Sequence, residues 1–296
     1  HKAIFFNCLG GHIMSTNLSP AFETMFNSEV HHAYQASRTL DGVCRMKNGV
    51  VGSTYKWPKL AAGVATERTP QTDVTPLNTA FSQVSVTLAD WSASEYSDIF
   101  NNAKVSFEER NELAQVVGSA VGRRYDQLII DALTNASAGS TVANTVVTSG
   151  SATASDLNVG KLIAAKKALD AKNVPQSDRH FICHANNLAG LLGDERAVSS
   201  DYAQIKALSG GQISSYLGFT FHVLGTRDEG GVSIDGSSDR TCLAFHKSAV
   251  GCAVGINPRT EINYVPEKTS WLVTTMLSMG SVAIDTDGIV DVTCRE

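Results

Sequence analysis

The sequence is poor in charged side chains. Of its 296 residues, 18% are Asp, Glu, Lys or Arg, against about 25% in a typical soluble domain. A low density of charge suits a chain whose surface is largely covered by neighbours, because the cores of protein interfaces exclude Lys, Glu and Asp. The alternative is a chain with many loops, since Ser, Thr, Asn and Gly take the place of the charged residues.

No run of basic residues is present. The net charge is −5, and the basic pairs are Arg123–Arg124 and Lys166–Lys167. Proteins that read a DNA sequence usually carry a clustered basic face, so the composition argues against this class. Weak, non-specific contact with nucleic acid is compatible with the composition.

Cysteine motifs and long apolar runs are also missing. The six cysteines, at positions 8, 44, 183, 242, 252 and 294, form no C-x-x-C pair, which favours buried or incidental thiols over disulfides or a zinc site. No apolar run reaches the roughly 18 residues of a membrane helix. The first 13 residues are too brief for a signal peptide, and Met14 opens a more natural start, so residues 1–13 can be an extension.

Residue patterns for catalysis are absent as well: there is no phosphate loop, dinucleotide motif, H-E-x-x-H or G-x-S-x-G. His180 and His184 lie on a predicted strand, about 13 Å apart and too far for one zinc. Cys183 and His184 point to opposite faces of that strand and cannot pair. Asp285, Asp287 and Asp291 are candidates for a cation or for a solvated strand end. The sequence therefore predicts no catalytic residue, cofactor or metal site.

One long amphipathic helix is predicted from Ser106 to Asn135. Ser106 and Glu109 form a capping box at its start, and its length is roughly 40 Å. Such a helix is either a mechanical spine or an ordinary core helix. Its polar side is predicted to run from Glu108 to Asp126. Its apolar side is formed by Leu113, Val117, Val121, Leu128 and Ala132, with Tyr125 beside them.

Residues 50–90 predict a long two-stranded excursion. A β-prone run that includes Tyr55 and Trp57 is followed by a loop-like stretch with few large apolar residues, and Val84, Val86 and Leu88 then alternate with polar residues. A lone hairpin is marginally stable in water. The excursion is therefore either a mobile surface loop or docked on something outside its own fold.

The remaining chain mixes helices and strands without a βαβ rhythm, which predicts an α+β fold. A second helix is expected from about Asp156 to Lys172, a buried strand in RHFICHA, a strand entered at Gly218, and a β-rich last third.

This order of parts resembles the major capsid proteins of tailed bacteriophages, which have the Hong Kong 97-type fold. Residues 89–133 (ADWSASEYSDIFNNAKVSFEERNELAQVVGSAVGRRYDQLIIDAL) look like capsid proteins of short-tailed phages, and residues 184–223 resemble the strand, short helix, "G-x-I" turn and "L-G-F" strand of the axial domain. The resemblance implies a subunit of pentamers and hexamers in an icosahedral shell around double-stranded DNA. It implies an N-terminal arm at 1–45, an extended loop at 46–90, a peripheral domain at 91–154 with a spine helix at 106–135, an axial domain at 155–265, and C-terminal strands at 266–296 that return to the peripheral domain.

The resemblance also implies partners and contact residues. The partners are other copies of the chain, a scaffolding protein, a portal protein, packaged DNA and, as a further candidate, a decoration protein. The location is the virion, with assembly in the host cytoplasm and no membrane contact.

Two alternative functions are an encapsulin-type compartment around a cargo enzyme, and a Ser or Cys hydrolase using His222 or His246. Inter-subunit contact is expected in the extended loop from Tyr55, Lys56, Trp57, Lys59 and Arg68.

Overall fold

A computed structural model describes residues 35–74, 76–102, 109–148, 150, 153–194 and 215–296. The predicted capping residue Ser106, His31–His32 and residues 1–34 of the predicted arm lie outside these ranges. The helices are α1 (Ile99–Asn102), α2 (Glu109–Thr134), α3 (Val159–Ala171) and α4 (Ala185–Gly193). The strands are β1 (Arg45–Asn48), β2 (Thr54–Leu60), β3 (Phe81–Thr87), β4 (Ala89–Asp98), β5 (Ser140–Val142), β6 (Arg179–His184), β7 (Ser215–Tyr216), β8 (Phe219–Leu224), β9 (Asp239–His246), β10 (Val250–Val265), β11 (Ser270–Ala283) and β12 (Ile289–Arg295).

The first sheet has four strands in the order β1-β10-β11-β4. Its centre is the long antiparallel pair β10–β11, whose register shifts twice, between Val254 and Ile256 and between Ile256 and Arg259. β4 lies at one edge and pairs with β11 over ten residues in continuous register. β1 forms the other edge and runs parallel to β10.

The long helix predicted from the sequence is confirmed over residues 109–134. It packs on the first sheet, and its buried side chains share a core with Leu277 and Met279 of β11. Two arginines of the helix also lie over indole rings of this sheet: the guanidinium carbon of Arg110 is 5.1 Å from the Trp271 ring centroid, and that of Arg124 is 3.7 Å from the Trp91 centroid. The helix therefore uses apolar and cationic side chains alike to hold its own sheet.

One prediction for this helix is wrong. Asp126 was placed on the outward polar side, but its side chain is fully buried. Residues 39–40 and Arg227 pack on the side of the helix that carries Asp126, and they bury its side chain. Leu113, predicted as apolar, and Glu112, predicted as polar, are both partly exposed.

The second sheet has six strands in the order β5-β12-β9-β6-β8-β7. The strands predicted in RHFICHA and after Gly218 are confirmed as β6 and β8. Leu217 and Gly218, with φ of 51° and 85°, form the two-residue turn between β7 and β8, and φ values of this sign at both positions suit a tight hairpin.

The second predicted helix is confirmed as α3, and it starts later than expected. The side chain of Asn158 accepts a hydrogen bond from the backbone N–H of Lys161 at 2.9 Å and so fixes the helix start. Asn173, with φ of 57°, follows its end. α3 and α4 supply apolar side chains to a core that they share with β6, β8, β9 and β12.

The two sheets divide the last third of the chain between them. β11 belongs to the four-stranded sheet, whereas β12 lies between β5 and β9 in the six-stranded sheet. The predicted segment 266–296 thus contributes one strand to each sheet. The division into arm, loop, peripheral and axial domains stays a prediction.

Candidate inter-subunit surface

The predicted excursion is a regular antiparallel hairpin, called here the extended hairpin. β2 and β3 pair without interruption from Thr54 opposite Thr87 to Leu60 opposite Phe81, and the N–H of Ala61 donates to the carbonyl of Ala80 at 3.0 Å. Farther out the two arms stay close, because a Cβ built on Gly63 would lie 2.3 Å from Cδ2 of Leu77. The two arms of the excursion therefore stay close together beyond the paired strands.

The outer part of the extended hairpin exposes large apolar side chains. The exposed fractions are 57% for Leu60, 81% for Val64, 77% for Val74, 57% for Leu77 and 82% for Phe81. A single exposed apolar residue needs no explanation, but a group on one excursion indicates an interaction site.

The base of the extended hairpin is fixed to its own subunit by Trp57. This side chain is 3% exposed and lies in a cluster with Val86, Ala253 and Ile284. Its closeness to β10 depends on Gly251, since a Cβ there would lie 2.6 Å from the indole ring. The hairpin is thus anchored at one end and open at the other.

An ion pair ties β2, two residues beyond Trp57, to the loop between β11 and β12. Lys59 Nζ is 2.9 Å from Asp285 Oδ1, and Asp287 pairs in turn with Lys172 at 3.0 Å. The aspartates considered for a cation are therefore neutralised by lysines, apart from Asp291, whose pKa is raised by burial. Among the residues that the structure describes, no group of three or more His, Cys, Asp or Glu side chains is arranged to hold a metal.

The five predicted contact residues fall into two groups. Lys56 and Arg68 are exposed, as an inter-subunit contact requires. Trp57 is buried in its own subunit, Lys59 is paired with Asp285, and Tyr55 is partly covered with its ring centroid 4.9 Å from that of Trp57. The β-prone pattern located the hairpin, but it could not show that Trp57 faces inward.

A buried carboxylate that the sequence did not reveal joins three separate segments. Asp126 of α2 accepts hydrogen bonds from the N–H groups of Thr39 at 2.9 Å and Leu40 at 3.0 Å, and Nη1 of Arg227 donates to it at 3.1 Å. Burial raises the pKa of Asp126, while the two amides and Arg227 act in the opposite direction. This contact, called here the Asp126 clasp, fixes residues 39–40 on the long helix.

The histidines considered for a hydrolase contact other groups. Nε2 of His222 is 3.1 Å from Nδ1 of His180. Nδ1 of His246 is 2.7 Å from the hydroxyl oxygen of Ser248 and also accepts the backbone N–H of Ser248. A His side chain that accepts hydrogen bonds from the hydroxyl and the backbone N–H of the residue two positions later caps a turn. No sequence motif pointed to this Ser–His contact, and its local geometry is that of a turn cap.

The cysteines behave as predicted within the described residues. Cys44, Cys183, Cys242, Cys252 and Cys294 are all buried and free. Burial raises the pKa of Cys183 to about 12, so this thiol stays protonated and unreactive near neutral pH.

The described part of the chain has no helix that is both long and apolar enough to cross a membrane.

Comparison with solved structures identifies the fold. The chain has a TM-score of 0.72 to a chain of the capsid of cyanophage P-SCSP1u, with 14% identity over 95% of each chain. It has a TM-score of 0.72 to the head structure of Helicobacter pylori bacteriophage KHP40, with 12% identity over 99% of each chain. For Mycobacterium phage Che8 the TM-score is 0.66, with 16% identity over 91% of this chain and 96% of the other. The class is therefore the Hong Kong 97-type capsid fold, as predicted.

The particular family follows from the sequence itself. A family model described as "Phage capsid protein" matches residues 18–296, so the chain belongs to the phage capsid protein family. It is a major capsid protein that assembles with copies of itself into the shell of a virion. The encapsulin-type alternative is not favoured by this match. A comparison with curated proteins finds no match.

Proposed function

We propose that the extended hairpin is the element by which each subunit clasps its neighbour in the shell. The observation that carries this proposal is the contrast between its two ends: Trp57 at the base is buried, while Phe81 and Val64 farther out are about four-fifths exposed. Burial of such side chains contributes roughly 25 cal/mol per Å² of apolar surface, and repetition around closed symmetry makes weak contacts collectively strong.

The rest of the proposed assembly completes this mechanism. Pentamers and hexamers form the shell, the N-terminal arm gives a second contact between subunits, and scaffolding and portal proteins take part in assembly. Double-stranded DNA fills the shell through non-specific contact, as the lack of a basic run suggests. The subunit has no catalytic role, since its Ser–His contact is a local turn cap and its described cysteines are buried.

Excision of Ala61 to Asn78 tests the proposal. Because Leu60 pairs with Phe81, Asn-Gly inserted between Leu60 and Thr79 leaves a loop of about four residues, Asn, Gly, Thr79 and Ala80, to close the shortened hairpin. The shortened subunit is expected to fold, since Trp57 and its cluster remain, and to fail in assembly. Sedimentation and negative-stain electron microscopy measure particles, and circular dichroism measures folding.

The matched control replaces the same segment by a Gly/Ser linker of equal length, which keeps the reach of the excursion but removes its apolar side chains. The proposal expects this variant also to fail. Normal closed particles from the excised subunit would show that the excursion is a surface loop without a role in docking.

A further inference from the structure

We infer that the free edge of β4 receives the extended hairpin of a second copy, with β3 of that copy added as a fifth strand of the sheet. The inference rests on the proposed function, which gives the hairpin a neighbour to dock on but names no place on that neighbour.

The edge of β4 is long and regular. It is the last strand of the sheet among the residues that the structure describes, and its ten residues pair with β11 on one side alone, with no bulge. At about 3.3 Å per residue it offers roughly 33 Å of unpaired backbone groups, and Ser92, Ser94 and Tyr96 along it are exposed.

Proteins normally protect such an edge with charged side chains, above all Lys, or with Pro, a bulge or a very short strand. The charges along β4 are the carboxylates Asp90, Glu95 and Asp98, which a basic partner can neutralise. Otherwise β4, ADWSASEYSD, has neither Pro nor Lys, and its register has no bulge. In contrast, β7 at the edge of the second sheet has two residues and β5 has three. A long edge without Pro, Lys or a bulge indicates that another strand covers it in the assembled state.

The side chains near the far end of β4 add an apolar surface. The exposed fraction is 42% for Tyr96, 39% for Ile99 and 67% for Phe100. A strand that pairs with β4 and carries its own exposed apolar residue would bury both. Phe81, at the outer end of β3, is such a residue.

Charge favours the hairpin over a second β4 as the occupant. β4 carries three acidic residues and no basic one, Asp90, Glu95 and Asp98, so antiparallel pairing of two β4 strands brings like charges together. The strands of the extended hairpin carry no acidic residue, and Lys56 of β2 is exposed, whereas Lys59 is already paired with Asp285. The two surfaces are therefore complementary in sign.

Within the hairpin, β3 is the strand suited to pairing. Pro58 interrupts the donors of β2, and proline is a device that blunts strand edges. β3, FSQVSVT, has no proline, no glycine and no charge. Val86 and Thr87 pack on their own subunit next to Gly280, so the available part of β3 is residues 81–85, which span about 16 Å and fit within the length of β4.

Disulfide trapping between two copies with different cysteine substitutions tests the inference. One copy carries Ser92→Cys or Ser94→Cys in β4, and the other carries Ser82→Cys or Gln83→Cys in β3; the copies are co-assembled and oxidised with oxidised glutathione. Neighbouring residues of a strand point to opposite faces. The expected result is a crosslinked dimer on non-reducing gels with one of the two β3 positions, at least tenfold above the other.

A control with Ser137→Cys, on an exposed loop after α2, replaces the β4 cysteine and is expected to give no dimer. Normal particles without any β3–β4 crosslink, or with equal crosslinking at positions 82 and 83, would overturn the inference and leave the proposed function intact. If the excised hairpin variant assembles normally, the proposed function fails on its own test.

Discussion

The Asp126 clasp shows how one side chain can decide where a segment of the chain lies. Asp126 alone satisfies two backbone donors and one guanidinium, and Arg227 also donates to the hydroxyl of Thr39 at 3.0 Å. The clasp thus joins the end of the predicted N-terminal arm, the long helix and the loop after β8. Nothing in the spacing of polar residues distinguishes Asp126 from a solvated neighbour, because its partners are about 90 and 100 residues away.

Removing the carboxylate is expected to destabilise the subunit strongly. Asp126→Ala leaves Arg227 and the N–H groups of Thr39 and Leu40 without this acceptor, which costs about 3–5 kcal/mol in comparable buried pairs. Urea denaturation of the unassembled subunit measures the change. Asp41→Ala is the matched control, because its ion pair with Arg38 is exposed and is worth at most about 1 kcal/mol. Equal effects of the two substitutions would contradict this account of the clasp.

The histidine pair predicts a dependence of stability on pH. Burial and the neighbouring His222 lower the pKa of His180 from 6.5 to about 4, with Lys247 and His246 acting in the same direction and Asp178 against them. In the unfolded chain His180 binds a proton below about 6.5, and in the folded chain only below about 4. The contribution of neutral His180 to the free energy of unfolding is therefore fully present above pH 6.5 and is lost as the pH falls from 6.5 to 4.

Urea denaturation of the unassembled subunit at pH 7 and pH 4.5 measures this loss. His180→Phe keeps a ring beside Phe245, whose centroid is 5.7 Å from that of His180, but cannot take up a proton. This variant is expected to lose less stability between the two pH values than the natural sequence does. An unchanged difference between the two pH values would show that His180 does not contribute.

At the scale of elements, two glycines four residues apart on the long helix have different environments. A Gly-x-x-x-Gly spacing outside a membrane helix means close packing or has no special role, and in this helix one glycine shows each case. A Cβ on Gly122 would lie 3.2 Å from the backbone nitrogen of Arg38, whereas a Cβ on Gly118 would meet nothing within 4 Å. The segment that precedes the Asp126 clasp thus crosses the helix at Gly122.

Alanine at each glycine separates these environments. Gly118→Ala is expected to stabilise the subunit by up to about 1 kcal/mol, because alanine is the better helix former. Gly122→Ala has the same intrinsic gain but must displace the backbone at Arg38, so it is expected to gain nothing or to destabilise. Thermal unfolding of the two variants gives the comparison, and equal stabilisation by both would show that the crossing is not tight.

The extended hairpin shows the limit of reading an element from a pattern. Alternation of Val84, Val86 and Leu88 correctly predicted a strand, and the paired register confirms the hairpin. The same pattern could not separate an anchored base from an open outer part. That separation depends on Gly251 and Ile284, which meet Trp57 only after β10 and β11 have formed.

For the whole molecule, the two sheets explain why the order of elements along the chain indicates the fold and why no single motif does. The first sheet joins β1 and β4 to β10 and β11, and the second joins β5 through β9 with β12, so each sheet is built from distant segments. Relatives with only 10–16% identity keep this arrangement over more than nine-tenths of the chain. A capsid subunit needs a shape that can be repeated, and many sequences can fill the same shape.

The sequence by itself determined the class of fold, the long helix, the hairpin and the capsid resemblance, because these rest on local periodicity and on the order of parts. The tertiary structure alone decided that Asp126 and Trp57 face inward, that β12 joins the second sheet, and that β4 is an edge strand of the first sheet as far as the described residues show. Each of these depends on contacts between residues far apart in the chain, and local pattern carries no information about such contacts.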